Sequence, residues 1–157
     1  LSVPENIQSV LWLLHNVVKN CTQQFIIAGK NPDLQITNCA KGSKNIQIIA
    51  NPSNEKMTEL VRNSHVNLIH SFYPQGFKLK LLNALYNGRF CLCNSSVVSN
   101  TGLESLCVIA ENGEQYISKI RALMNAEFDI SLVNRRKSVL SSYSNSEQVR
   151  KLIELFK

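Results

Sequence analysis

The sequence predicts an α/β fold in which a parallel β-sheet lies between two layers of helices. Short segments that are apolar throughout alternate with longer segments whose apolar residues recur at helical spacing. Strands without polar alternation are typical of parallel sheets, because both of their faces are buried. Parallel strands also need helical crossovers, and we therefore expect a Rossmann-like three-layer sandwich. The 157 residues suit one domain of ordinary size, so a single domain over residues 1–157 is expected.

Five segments have the composition of buried strands and end at turn residues. They are residues 24–29, 45–50, 65–70, 89–94 and 107–110. Longer helices are expected around them at residues 2–18, 54–61, 79–86, 116–124, 130–140 and 149–156. A shorter helix through Leu34 follows the turn at Asn31 and Pro32. Residues 95–100, SSVVSN, are expected to form a loop.

Capping and turn residues predict where these helices begin and end. Ser2 is the expected cap of the first helix, with Pro4 in its first turn. Asn54 is the expected cap of the helix before the third strand. The pair Asn87-Gly88 is a stop signal for the helix that begins at residue 79. The last helix is expected to bury Val149, Leu152, Ile153 and Phe156.

The composition indicates a globular protein with a basic surface. Apolar residues make up 44%, charged residues 18%, and the net charge is +6. No apolar run approaches the roughly 20 residues of a membrane span. The start, LSVPEN, lacks the basic and apolar regions of a signal peptide. The positive charge favours an anionic partner, namely a nucleotide, a phosphate, a nucleic acid or an acidic membrane face, although a solvated basic surface gives the same charge.

Five cysteines at irregular spacing argue against a disulfide framework. Cys91 and Cys93 alternate with Phe90 and Leu92 in an apolar run, so their side chains share one face of a strand. We expect a buried pair of small thiols there rather than a zinc site, and no metal elsewhere. Free thiols suit a reducing cytoplasm, which is the expected location.

Ligands of a doubly wound sheet bind beyond the carboxyl ends of its strands. That rule selects the loops after Gly29, Ala50, His70 and Asn94. Three of these loops are rich in Gly, Asn, Lys or Ser. His70 ends its strand beside the expected crevice, where it either touches a ligand or serves as a structural strand-end residue.

Residues 71–88, SFYPQGFKLKLLNALYNG, carry the most chemical information. Gly76 allows a ligand to approach the backbone closely, and the free amides of the following helix favour a phosphate. Lys78 and Lys80 add positive charge at the same place. Lys80 and Asn83 lie three residues apart, so they share one face of the helix and one ligand could touch both. The alternative from spacing alone is a plain turn with two solvated lysines.

The segment QGFKLKLLNALYNGRFCLC resembles the signature of GT-B glycosyltransferases related to the retaining family 4, or group 1, enzymes. That signature has a glutamate, Gly-Phe-Gly, apolar residues, a second glutamate, Ala-x-x-x-Gly and an apolar strand. Gln75 and Asn83 stand at the two glutamate positions with the spacing kept, and Ala84 and Gly88 follow. The run of FIIAGKNP and then NIQIIANPSNEKMTELVRNSHVNLIHS is similar to the strands and helices that precede the signature. The resemblance covers essentially the whole chain and is closest to a bacterial branch of surface-polysaccharide assembly.

The resemblance implies the carboxy-terminal half of a GT-B fold, which binds the nucleotide-sugar donor. Such an enzyme moves a sugar from a nucleotide-diphosphate sugar to a glycan or lipid-linked acceptor, with no cofactor and no metal. The acceptor site lies in an amino-terminal domain that this chain does not contain, so the isolated domain is expected to be inactive and no catalytic residue is assigned. The expected location is cytoplasmic, with or without peripheral contact to the inner face of the membrane.

Family roles carry over to the matching positions. The position of Asn83 holds the ribose, that of Gln75 contacts the donor sugar, and Gly76, Phe77 and Lys78 cradle the diphosphate. The expected nucleotide-sugar site comprises Lys30, Asn51, Gln75, Gly76, Phe77, Lys78, Lys80, Asn83, Thr101 and Gly102. Lys30 and Asn51 are expected to lie at the crevice that binds the base. Thr101 and Gly102 belong to a region that approaches the donor in the family.

The sequence departs from the family at two kinds of position. Both glutamates are amides here, so they can hydrogen-bond a sugar but cannot place negative charge beside a cationic transition state. Asn6 also stands roughly where the family has a lysine near the first helix. The two amides favour the first alternative, a non-enzymatic Rossmann-like domain that binds a partner protein.

A basic nucleic-acid-binding domain is the second alternative. This alternative rests on the net charge alone, because the sequence has no strand in which basic and aromatic residues alternate. Nucleic acid is therefore not an expected partner. The basic run Arg135, Arg136 and Lys137 is read as a solvated helix face or, more sharply, as a contact with a membrane or another domain. Trp12 is expected in the core.

Overall fold

The computed structural model describes residues 1–76, 78–144, 147, 149–150 and 153–154. Its contacts form two compact units, Leu1–Ala126 and Glu127–Lys157. In the first unit the strands are β1 (Phe25–Gly29), β2 (Ile46–Ala50), β3 (Val66–Ile69), β4 (Phe90–Cys93) and β5 (Val108–Ile109). Its helices are α1 (Pro4–Asn16), α2 (Leu34–Ala40), α3 (Asn54–Asn63), α4 (Leu79–Asn87), α5 (Ser95–Val98) and α6 (Gly113–Met124). The second unit contains α7 (Ile130–Leu140).

The predicted Rossmann-like α/β architecture is confirmed, because every strand pairs in parallel and helices connect the strands. The strands form two sheets instead of the one expected. One sheet pairs β1 with β2, from Phe25 opposite Ile46 to Gly29 opposite Ala50. The other has the order β3-β4-β5. Within the described residues, no ladder joins β1 to β3, and this separation is what the sequence pattern did not predict.

The core of the first unit follows the helical and strand periodicities of the sequence. All four residues of β4 are buried, as a central strand of a parallel sheet requires. Leu14 and Val18 pack with Ile36 against the β1–β2 sheet. Leu81 and Leu85 bury the inner face of α4. Full burial of such a side chain contributes about 1.5–3 kcal/mol relative to exposure.

Two predicted helix caps are wrong by a single residue. Pro4 lies in the first turn of α1, as expected, but the helix begins at Pro4 and its N-cap is Val3, whose side chain cannot accept a hydrogen bond, so Ser2 lies outside the helix. α3 is capped by Ser53, whose Oγ accepts from the Lys56 amide over 3.1 Å. Ser53 takes this role because its backbone is extended, whereas Asn54 is already helical.

Two other predictions from the sequence differ from the structure: one concerns an expected loop, and the other the burial of apolar residues in the last helix. Residues 95–98, expected in a loop, form α5, which buries Val97 and Val98. The expected burial of Val149 and Ile153 is wrong, since both are 54% exposed. Leu152 and Phe156, expected beside them, lie outside the described residues. None of the helices in the described part of the chain has the length and apolarity of a membrane span.

Candidate functional site

The amino ends of α1 and α4 meet at the carboxyl ends of β3 and β4. The Lys78 ammonium, at the N-cap of α4, donates to Glu5 Oε1 over 2.9 Å. The same oxygen accepts from Ser71 Oγ, just after β3, over 2.8 Å. Asn6, the next residue of α1, accepts from the Lys80 ammonium over 3.0 Å. The site selected by the topology therefore holds two lysines and the first turn of α1.

Glu5 and Lys78 form a partly buried ion pair. Their side chains are 31% and 11% exposed, respectively. The hydrogen bond from Lys78, followed by that from Ser71, lowers the pKa of Glu5. Lys78 also donates to the Gln75 carbonyl over 2.9 Å. A turn with two solvated lysines is thus wrong for Lys78, because its charge is paired inside the fold.

Lys80 extends from α4 into the space between the sheets. The residue as a whole is exposed, but it lines two cavities of about 380 Å³ and about 610 Å³. Burial of its ammonium lowers the pKa of Lys80, the Glu5 charge opposes this shift, and the Lys78 charge adds to it.

Asn83 lies one turn after Lys80 and lines the cavity of about 610 Å³ with it. The sequence-based expectation that one face of α4 presents both residues is met by this arrangement. The Asn83 Oδ1 accepts from Asn87 Nδ2 over 2.8 Å. This bond uses the Asn83 carbonyl oxygen, and the NH₂ group of the same amide is a hydrogen-bond donor.

Asn94 joins the ends of β3 and β4. Its Nδ2 donates to the Ser71 carbonyl over 2.7 Å, and its Oδ1 accepts from the Ser71 amide over 3.1 Å. Both residues are buried. The floor of the site is consequently held by two hydrogen bonds that leave the Ser71 hydroxyl free to donate to Glu5.

His70 lies at the end of β3 with its ring between aromatic side chains. It stacks on Trp12 with ring centroids 4.1 Å apart, and Phe72 meets its ring edge-on at 4.6 Å. Burial, followed by the charge of Lys80, lowers the pKa of His70 to about 4, so the ring is neutral at pH 7. Its Nδ1 and the Ser9 Oγ are buried without a hydrogen-bond partner among the described residues. Both residues line the cavity of about 380 Å³.

Lys30 and Asn51 lie at the carboxyl ends of the other sheet. Asn51 has a positive φ of 51°, and its Oδ1 accepts from the Asn31 amide over 2.8 Å. The Asn51 amide donates to the Gly29 carbonyl over 2.9 Å. Lys30 is exposed, and its carbonyl accepts from the amino group of Leu1. Asn51 therefore shapes the turn between strands while the Lys30 side chain faces solvent.

The remaining predicted residues lie in loops. Gly76 has a φ of 77° and open space where a side chain would be, and Gln75 beside it is exposed. Phe77 lies outside the described residues. Thr101 is buried, and its hydroxyl donates to the Val98 carbonyl over 2.7 Å within its own turn, which continues through Gly102 at a φ of 66°.

Some residues of the site could not be found from sequence. Glu5 is separated from Lys78 by 73 positions, and no local pattern links them. Cys107 was likewise not predicted to lie near Cys91 and Cys93. Its sulfur lies within 4.8 Å of the sulfurs of those two residues. The expected burial of the latter two thiols is confirmed. Cys107 joins them because β5 pairs with β4.

Arg136 is also placed differently from the solvated face expected of the basic run. It is buried, and its guanidinium lies 5.3 Å from the centre of the Phe128 ring. Trp12, expected in the core, packs against His70 and Tyr116 but is only partly buried.

The fold and the site define an α/β domain that gathers helix amino ends and basic side chains at the carboxyl edge of parallel strands. A family model described as "Glycosyl transferases group 1" matches residues 1–126. The chain belongs to this family, which makes it a glycosyltransferase domain with a role in glycosyl transfer. The match spans the first compact unit. No curated protein matches the chain.

Proposed function

We propose that residues 1–126 bind the nucleotide-diphosphate sugar of a glycosyl transfer reaction, with the diphosphate at the amino end of α4. The observation that carries this proposal is the convergence of Lys78 and Lys80 on the first turn of α1, beside Asn83. Two ammonium groups within one site supply the charge that a leaving diphosphate needs. No cofactor or metal is required for this role.

The amino end of α4 supports a phosphate at this place. Its N-cap, Lys78, makes no side-chain cap within the described residues, and the preceding Gly76 leaves open space beside the backbone. The first amides of an uncapped helix and the helix dipole both favour an anion. Asn83, farther along the same helix, offers its NH₂ group to a ribose hydroxyl.

Binding at this site requires a change in the partner of Lys78. In the structure Glu5 neutralises the lysine, so an arriving diphosphate competes with the carboxylate for the same ammonium. Lys80 donates to the neutral Asn6 side chain and forms no ion pair within the described residues, so it is the more available charge. The expected order is contact with Lys80 first, followed by exchange of Lys78 from Glu5 to phosphate.

We further infer that the acceptor site is supplied by a second domain outside this chain. The sugar then passes to a glycan or lipid-linked acceptor in the cytoplasm, as in retaining group 1 enzymes of bacterial surface-polysaccharide assembly. Residues 1–126 alone hold donor contacts and no assigned catalytic residue, so the isolated chain is expected to bind without turnover.

The test is a titration of the chain with UDP, GDP and ADP, followed through amide NMR shifts. Shifts of residues 76–83 and of residues near Asn51 are expected with the preferred base. Lys80→Ala should weaken binding about tenfold, as loss of one charge-assisted hydrogen bond does. Lys56→Ala is the matched control, since Lys56 is exposed on α3 and paired with Glu59. If millimolar concentrations of all three nucleotides leave residues 76–83 unmoved, the donor-site proposal is wrong.

A non-enzymatic interaction domain is the second candidate. The amides at Gln75 and Asn83 favour it, and so does the pairing of Lys78 with Glu5. It predicts that Gln75→Ala and Asn83→Ala leave the transfer activity of the full-length protein unchanged. A loss of activity in either variant, with the fold retained by circular dichroism, would favour the enzyme.

A further inference from the structure

The sulfur atoms of Cys91, Cys93 and Cys107 form one group outside the candidate nucleotide site. Each sulfur lies within 4.8 Å of the other two. Cys93 forms hydrogen bonds with Cys107 and with Cys91, so its thiol links the group. Two thiols on one strand, as expected from the sequence, offer too few ligands for a stable metal site. The third thiol, which the fold adds, raises the number to three.

The parallel pairing of β4 and β5 explains why the three side chains meet. Cys91 and Cys93 are two residues apart on β4 and therefore share one face of the sheet. The ladder between the two strands begins with the pair Leu92 and Val108. Cys107 comes one residue before this pair in extended backbone, so it lies beside Cys91. Neighbouring residues of paired strands point to the same face, and the pairing thus brings the third sulfur to the first two.

The spacing of the sulfurs fits one metal ion between them. Metal–sulfur bonds of about 2.3 Å around an ion in the plane of three sulfurs place those sulfurs about 4.0 Å apart. This separation lies within the 4.8 Å limit that the three sulfurs satisfy. In the part of the chain that the structure describes, no histidine, carboxylate or further cysteine ligand atom joins the group. The protein therefore supplies a site of three sulfur ligands.

The type and number of ligands select monovalent copper. Thiolates are soft ligands that favour Cu(I), zinc and iron–sulfur clusters over Mg²⁺ and Ca²⁺. Iron–sulfur clusters take four protein ligands, and structural zinc sites do the same. Cu(I) is a soft ion with a filled d shell, and three thiolates alone satisfy it. Full burial of Cys91 and Cys93 also keeps water from completing a fourth position on their side.

Cys107 gives the ion a route to the site. It is partly exposed, whereas the other two thiols are buried, and its strand β5 ends the order β3-β4-β5. Each sulfur that binds as a thiolate releases its proton to solvent, so one Cu⁺ replaces up to three protons. Water on the Cys107 side screens the negative charge that remains on the site.

We propose that Cys91, Cys93 and Cys107 bind one Cu(I) ion, which fastens β5 to β4. The ladder between these strands spans two residue pairs, so a metal bridge beside it adds a strong link to a short one. None of the three residues belongs to the proposed nucleotide site, and the ion takes no part in glycosyl transfer. The inference therefore goes beyond the proposed function and does not depend on it.

The test offers Cu(I) to the reduced chain without oxygen, in competition with the chromophoric chelator bicinchoninate. The folded chain should withdraw one equivalent of Cu(I) from the chelator, and native mass spectrometry should show one copper per chain. Binding should also raise the melting temperature, because an ion bound by the folded state stabilises that state. Zinc at the same concentration should leave the copper in place.

Cys107→Ser should weaken Cu(I) binding by about 100-fold or more, since losing a ligand costs more than losing an outer partner of a ligand. The rise in melting temperature should disappear with it. Cys39→Ser is the control, because this thiol is also partly exposed and contacts Nε2 of His15, a second possible copper ligand, over 3.5 Å. It should bind Cu(I) as the unaltered chain does, and circular dichroism checks the fold of both variants.

No withdrawal of copper by the folded chain would overturn the proposal. Equal affinity in Cys107→Ser and the unaltered chain would do so too, as would an equal loss in Cys39→Ser or displacement of copper by zinc. If Cys107→Ser does not fold, labelling of the unaltered chain decides. Copper should then protect Cys107 from iodoacetamide and leave Cys39 reactive, and unchanged labelling of Cys107 would overturn the proposal.

Discussion

The Lys78 ammonium and the Glu5 carboxylate lie 2.9 Å apart and tie the loop before α4 to the first turn of α1. The pair is partly shielded from water, and Ser71 supports it from the end of β3. One contact therefore joins three elements at the carboxyl edge of the sheet. It also places a carboxylate where the proposed function needs a phosphate.

Glu5→Gln should lower the stability of the fold. The amide keeps the size of the side chain but loses the ion pair, and we expect the free energy of unfolding at neutral pH to fall by about 1 kcal/mol. That loss corresponds to a melting temperature about 2–4 °C lower for a chain of this size. Thermal unfolding followed by circular dichroism measures it, with Glu59→Gln on the exposed face of α3 as the control.

The loss of stability caused by Glu5→Gln should depend on pH, in a direction set by the pKa of Glu5. The pKa of Glu5 is lowered in the folded state, so its contribution is present above the ordinary carboxyl pKa and disappears as the pH falls through the folded value. The difference in melting temperature between the two proteins should therefore shrink below about pH 4.5. A difference that stays constant down to pH 3 would contradict the ion pair as its cause.

The same Glu5→Gln substitution should strengthen nucleotide binding. Removing the carboxylate releases Lys78 and leaves one more uncompensated positive charge at the site. A severalfold lower dissociation constant for the preferred nucleoside diphosphate is expected by isothermal titration calorimetry, with a gain of about 1 kcal/mol. Weaker binding than in the unaltered protein would mean that Glu5 supports the site rather than competing for it.

His70→Phe should flatten the pH dependence of stability. Burial lowers the pKa of His70 from 6.5 to about 4, so between these values the unfolded chain binds a proton that the folded chain does not. The free energy of unfolding therefore falls as the pH drops through this window, by at most about 1.4 kcal/mol per pH unit. Urea unfolding at several pH values measures the slope, and the variant should lack this part of it.

Phenylalanine keeps an aromatic ring against Trp12, so stacking is preserved while titration is removed. His15→Gln is the control for loss of a histidine, because His15 is exposed at the end of α1. Identical slopes for His70→Phe and the unaltered protein would rule out His70 as the titrating group.

Ser53→Ala should destabilise the protein, whereas Asn54→Ala should have a smaller effect. The Ser53 hydroxyl caps α3 through the Lys56 amide, and loss of such a cap costs about 1 kcal/mol. Asn54 is the first helical residue, where alanine is well tolerated. Chemical denaturation of both variants distinguishes the two, and a larger loss for Asn54→Ala would place the cap one residue later.

The five thiols should react at different rates in the folded protein. Cys91 and Cys93 are fully buried, and hydrogen bonds with Cys107 and then Cys91 raise the pKa of Cys93 above its ordinary value. Because the thiolate is the nucleophile, both should resist iodoacetamide while Cys39 is modified. Peptide mass spectrometry over a time course measures this, and urea should expose all five. Rapid native labelling of Cys93 would show that the cluster opens.

The apolar strands of the fold were predictable because their signal is local. The strand expected at residues 65–70, for example, is observed as Val66–Ile69, and the run that ends at Gly29 loses only Gln24. Helix α4 begins at the expected Leu79, and Gly88 follows its end as expected. In each case the period of apolar residues and the turn residue that ends it lie within a few positions of each other.

The pairing of elements was less predictable because it depends on distant residues. The sequences of β1 and β3 both have the composition of buried strands. They give no indication that the two strands lie in different sheets. Lys78 was recognised from its place beside Gly76, but its partner Glu5 was not, since only the folded chain brings them together. The bounds of helix α4 were therefore predictable, whereas the contacts between α4 and α1 were not.

The Asn94 side chain imitates a peptide unit. Its carboxamide accepts from the Ser71 amide and donates to the Ser71 carbonyl, as a peptide group can, so two further hydrogen bonds join the chain after β3 to the chain after β4. The main chain is thereby released from the ladder and turns at once into α5. Aspartate has nearly the same shape but no NH₂ group, so it would lose the bond to the Ser71 carbonyl. The backbone of β4 therefore leaves the strand after Cys93, whereas hydrogen bonding to the chain after β3 continues through the Asn94 side chain. The crevice lies where the two chains separate.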